Sequence, residues 1–77
     1  MLYNTENEDI SFRLINREIV LTYKGNIYTL HRVLKSLYDI YTCEESINII
    51  MINNHITIFD TTNGGFDMMY NGSYCLE

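Results

Sequence analysis

The chain has little of what most functional classes require. Its two cysteines, Cys43 and Cys75, allow one bridge at most, too few for a disulfide-stapled secreted scaffold, and both are expected as reduced thiols. Long hydrophobic runs are missing too. The longest uncharged stretch before the C-terminal region is SINIIMINN, far short of the roughly 20 apolar residues of a membrane-spanning helix. The N-terminus shows no basic-then-apolar leader, so a cytoplasmic location is expected. Alanine, glutamine, proline and tryptophan do not occur, while 11 Ile, 9 Asn and 7 Tyr make up 27 of 77 residues. That usage has the look of an AT-rich coding vocabulary. Lysine should be common in such a vocabulary, yet only Lys24 and Lys35 occur, so the acidity is not a simple by-product of base composition.

Positive charge is the most informative shortage. The net charge is −5 and the isoelectric point about 4.8. All five basic side chains (Arg13, Arg17, Lys24, Arg32 and Lys35) lie before residue 36. Residues 36–77 carry six acids and no base. A nucleic-acid-binding domain wants an isoelectric point above about 9, so direct DNA or RNA binding is disfavoured. A field of one sign steers basic partners instead.

At 77 residues the chain is one domain with a thin core. Residues 1–9 are polar and acidic and are expected as a flexible lead-in, with a single domain over 10–77. ISFRLI and EIVLTY alternate as strands around Asn16-Arg17, which sets Leu14 opposite Ile19, Phe12 opposite Leu21 and Ile10 opposite Tyr23. Gly25-Asn26 reverses the chain into a short rung at Ile27-Tyr28. INIIMI and HITIFD form a second hairpin around Asn53-Asn54, with Met51 facing Ile56 and Ile49 facing Ile58. Asn71-Gly72 is a type I′ turn signal for a last hairpin, 66–70 with 73–76.

Between the hairpins, Leu30, Val33, Leu34, Leu37, Tyr38 and Tyr41 recur at helical spacing. Thr29 stands ready to cap, Tyr28 to staple onto Val33, and Lys35 to pair with Asp39. A helix over about 30–41 is therefore expected. The fold class that follows is α+β: one antiparallel sheet of five to six short strands with that helix packed on one face.

No constellation rises to a reaction. His31, Cys43, His55 and Cys75 are separated by gaps of twelve or more, unlike the close ligand pairs of structural zinc. A Cys75 nucleophile with a His55 base has no orienting third group. Gly64-Gly65 lacks the Lys and Ser/Thr of a phosphate loop. No metal, cofactor or catalytic residue is expected, and the protein is read as non-enzymatic. The closing segment holds Phe59, Phe66, Met68, Met69, Tyr70 and Tyr74, more than one buried face of a hairpin can hide. Tyr and Met are enriched at protein contacts, and nearby carboxylates suit a basic partner. The residues expected to bind that partner are Asp60, Asp67, Met69, Tyr70 and Tyr74.

Size, acidity and lack of catalytic groups are the profile of a stoichiometric binder. Small acidic inhibitors encoded by phages and mobile elements, anti-CRISPR proteins among them, are of this type, an analogy of kind and not of motif. The expected function is inhibition of a basic nucleic-acid-handling protein. The alternative is a structural or assembly protein acting by homodimerisation or sheet-edge pairing.

Overall fold

A computed structural model describes residues 1–35 and 38–76. It is all-β. Among the described residues, eight antiparallel strands run in sequence order: β1 (Leu2–Thr5), β2 (Ile10–Ile15), β3 (Glu18–Tyr23), β4 (Asn26–Lys35), β5 (Asp39–Thr42), β6 (Ile47–Ile52), β7 (His55–Asp60) and β8 (Asp67–Leu76). Each pairs with the next, and β1 pairs with β8 to close a barrel.

The two expected hairpin registers hold. Leu14 stands opposite Ile19, Phe12 opposite Leu21 and Ile10 opposite Tyr23. Met51 stands opposite Ile56, and Ile49 opposite Ile58. Left-handed backbone at Asn16 (φ 56°), Lys24 (φ 49°), Gly25 (φ 82°) and Asn53 (φ 54°) makes the tight reversals that match the strand twist. Alternate residues then point inward, where an eight-stranded barrel is just wide enough to be filled by side chains. Ile10, Phe12, Ile19, Leu21, Leu30, Tyr41, Ile47, Ile49, Met51, Ile56 and Ile58 form this core. Each large apolar side chain so buried contributes about 1.5–3 kcal/mol. Tyr3 stacks on Phe12 with ring centroids 5.1 Å apart, and Tyr74 meets both rings edge-on.

The α+β expectation is overturned, because the segment read as a helix is strand. Over 30–35 it continues β4, and over 39–41 it lies in β5; Ser36 and Leu37 fall outside the described residues. Residues 27–33 do alternate in accessibility, but two side chains defy the polarity rule. Arg32 turns inward, with its guanidinium donating to the Tyr41 hydroxyl at 3.1 Å and lying 3.6 Å from Asp39, whereas Val33 is 61% exposed. A bulge between Arg32 and Leu34 breaks the period again. These exceptions turn a two-residue repeat into an apparent helical stripe. Tertiary pairing decides the outcome. A helix over 30–41 would strip β3 of His31 and Leu30, which stand opposite Glu18 and Ile19, and β6 of Asp39, Ile40 and Tyr41, which stand opposite Met51, Ile50 and Ile49, and would leave those edges unsatisfied. Asp39, expected to pair with Lys35 along a helix, has Arg32 as its ion-pair partner.

The last hairpin is a second correction. Residues 67–76 form one continuous strand, and Asn71-Gly72 lies in its middle opposite Thr57 and Ile56. Gly72 is needed for space. A Cβ there would lie 2.6 Å from the Tyr70 hydroxyl and 2.9 Å from its Cζ, because the Tyr70 ring folds over the glycine.

Residues 2–5, placed by the sequence in the acidic lead-in, are strand β1. It is bonded to β2 at Leu2, Tyr3 and Asn4 and to β8 at Tyr3, Asn4 and Thr5. That second pairing is short. β8 meets β1 only at Tyr74, Cys75 and Leu76, so among the described residues Asp67–Ser73 has a strand neighbour, β7, on one flank alone.

Candidate protein-binding rim

Up-and-down connectivity sends alternate loops to opposite ends of the barrel. The connections 6–9, 24–25, 43–46 and 61–66 share one end. Hydrogen bonds tie them in pairs: Lys24 N donates to Asp9 O at 3.0 Å, and Thr61 N to Ser46 O at 3.0 Å. This end gathers Glu6, Glu8, Asp9, Glu44 and Glu45 in its loops and Asp60 and Asp67 at the adjoining strand ends, with Lys24 as its one base among the described residues. Seven acids against one base give 1 − 7 = −6, close to the charge of the whole chain. At the opposite end the charges are mixed: Arg17 lies in the β2–β3 turn, Arg32 pairs with Asp39, and Glu18 lies 3.6 Å from His31. Acids from both termini of the sequence thus meet on one rim.

Asp60 and Asp67 face each other in register across β7 and β8, an arrangement that like charges disfavour. Asp60 is held below the usual carboxylate value by the Thr62 hydroxyl and, next, by the Thr62 amide at 2.9 Å, both donating to its Oδ1. Asp67 accepts from Asn63 Nδ2 at 3.4 Å. Neither carboxylate has a cation partner among the described residues. Both remain available to one from outside.

The other three expected contact residues have structural duties. The Tyr70 hydroxyl donates to Ser73 O at 2.8 Å and accepts from Glu6 N at 3.2 Å, clamping the β1–β2 loop to β8. The Tyr74 hydroxyl donates to Asn53 O at 2.7 Å; burial, followed by the nearby Tyr3, Asp39 and Tyr41, pushes its pKa up. Met69 is the extra residue of a bulge in β8 and packs half-buried against the core. The rings and thioethers actually presented belong to their neighbours. Phe66 is 78% exposed and Met68 58%, and Phe66 meets Phe59 edge-on at 5.7 Å. The expected hairpin of 66–70 with 73–76 has no bulge, whereas the bulge at Met69 shifts the register and sets Met68 opposite Phe59 with its side chain exposed. Glu6, Glu8 and Asp9 were missed as rim members because only barrel closure brings them round to β7 and β8.

The surface offers open grooves of about 360, 330 and 250 Å³. His31, Cys43, Glu44 and Glu45 line one of them. No group of three or more His, Cys, Asp or Glu among the described residues could hold a metal ion. Burial raises the Cys43 thiol pKa, which lowers its nucleophilicity at neutral pH. His55 Nε2 is hydrogen-bonded to Asn71 Oδ1, and Cys75 lies on the exposed C-terminal stretch of β8. No protein-family model, curated protein or solved structure matches this chain.

Proposed function

We propose that this chain is a non-enzymatic binder that docks its acidic rim onto a basic, nucleic-acid-handling protein and inhibits it by occupying the nucleic-acid site, in the cytoplasm of a host cell. The observation that carries this reading is the gathering of seven carboxylates at the end of the barrel that also carries the exposed Phe66 and Met68. Carboxylates stand in for phosphates, and the apolar pair supplies the desolvated centre that charge alone lacks. The test combines affinity purification from the native host with competition between the recovered protein's nucleic acid and this chain. A basic partner is expected whose nucleic-acid binding is displaced, with affinity falling as salt rises. An Asp60→Lys, Asp67→Lys double variant should bind at least about tenfold more weakly, a loss of about 1.4 kcal/mol. Recovery of no basic partner, or a double variant that binds like the parent, refutes the reading.

Assembly through a second copy is supported by one observation. Ile27 is 72% exposed beside Leu2, Val20 and Thr22 on the outer wall of β1–β4. Light scattering at several salt concentrations separates the two readings, because an apolar dimer is insensitive to salt and a monomer leaves the rim open.

A further inference from the structure

β8 is paired to β7 over Asp67–Ser73 but to β1 only over its last three residues. The β1–β2 loop, which would otherwise flank Asp67–Gly72, folds on itself instead. Thr5 Oγ1 donates to Asn7 O at 2.9 Å and to Ile10 O at 3.0 Å, Asp9 N donates to Asn7 Oδ1 at 3.0 Å, and Ile10 N to Asn7 O at 3.0 Å. It touches β8 through side chains, at the Tyr70 hydroxyl and through Ser73 Oγ donating to Glu6 Oε1 at 3.1 Å. Above that clamp, N–H and C=O groups on this flank of β8 have no strand beside them among the described residues. The stretch starts at the acidic rim, where Asp67 and Met68 follow the exposed Phe66, and runs down the wall to Gly72 opposite Ile56.

We infer that the open flank of β8, Asp67–Gly72, accepts an extended, lysine- or arginine-bearing segment of the partner as an added antiparallel or parallel strand. This rests on the docking reading above and specifies its mode. Backbone pairing supplies alignment, and alternate side chains of the incoming strand reach the rim carboxylates. A second copy of this chain is a poor occupant, since it would bring two rims of the same charge together. Asp67 and the Met69 bulge are the features by which sheet edges repel like strands, and a cationic strand meets Asp67 as an attraction.

The test uses ¹⁵N-labelled protein and three synthetic ten-residue peptides of alternating Lys and Val: the parent, one N-methylated at the odd residues and one at the even. N-methylation removes the donors along one edge of the peptide and leaves its charge intact. The parent is expected to shift the amide signals of residues 67–72 and slow their hydrogen exchange. One methylated peptide should match the parent, and the other should bind at least about tenfold more weakly. The inference is overturned if the parent does not bind, if the two methylated peptides behave alike, or if the shifts are confined to the loops. A natural partner released by the Asp60→Lys, Asp67→Lys variant but giving no slower exchange in β8 would leave rim docking intact and refute strand addition alone.

Discussion

Replacing Gly72 with alanine tests whether β8 is continuous for the reason given above. The new Cβ would lie 2.6 Å from the Tyr70 hydroxyl and 2.9 Å from Cζ, both inside van der Waals contact, so the ring must move. Moving it breaks the bond to Ser73 O and the one accepted from Glu6 N, each contributing about 1 kcal/mol. An off-rotamer ring adds roughly 0.5–1.5 kcal/mol. Alanine restores about 0.5–1 kcal/mol by restricting the unfolded chain. The net expectation is a loss of about 2 kcal/mol, or roughly 8–16 °C in Tm for a domain this small. Urea unfolding followed by far-ultraviolet circular dichroism measures it. In a Tyr70→Ala background, where nothing folds over position 72, the same change should be neutral or slightly stabilising. Gly72→Ala costing under about 0.5 kcal/mol, or costing the same in both backgrounds, would refute the packing account.

Two further outcomes concern titration. The Asp60 carboxyl, followed by carbon-detected NMR, should titrate below its ordinary value of 3.8, and Thr62→Val should move it back up by removing the largest cause. Because that pKa is depressed, the group stabilises the fold above the ordinary carboxylate range, and its contribution fades as pH falls through the lowered value. Tyr74 has the opposite sign. Its pKa is raised above the ordinary 10.0, so its contribution is complete below that value and is lost as pH rises through the raised one. Alkaline unfolding of Tyr74→Phe should therefore fall less steeply with pH than that of the parent, and an unchanged slope would count against the burial of this ring.

Charge placement links the fold to both proposals. In sequence, nine of the ten acids lie in 1–9 and after 36, with the five bases and Glu18 between them. An open meander would string the acidic loops along one edge, with 6–9 and 61–66 at its far corners. Closing β1 against β8 and reversing direction at every strand brings the acidic loops to one end. The rim is a consequence of topology acting on a charge pattern that is only partly visible in one dimension.

The amino-acid sequence by itself determined the hairpins β2–β3 and β6–β7. An apolar residue at every second position on the inner face and a tight Asn-containing reversal leave a single register that buries one whole face. It also determined the excess of carboxylates and the surplus of rings and thioethers in the last strand. Only the tertiary structure decided that 30–35 and 39–41 are strands, because an inward Arg32, an outward Val33 and a bulge disguise the two-residue period locally, while the edge of β3 demands a partner. It alone decided that Gly72 makes room for a ring instead of turning the chain, and that Tyr70 and Tyr74 brace the barrel while Phe66 and Met68 face outward. Alternation and turn chemistry act between near neighbours and can be read along the chain. Closure, bulges and the sharing of space between distant side chains depend on which strands meet, and no short stretch of sequence holds that information.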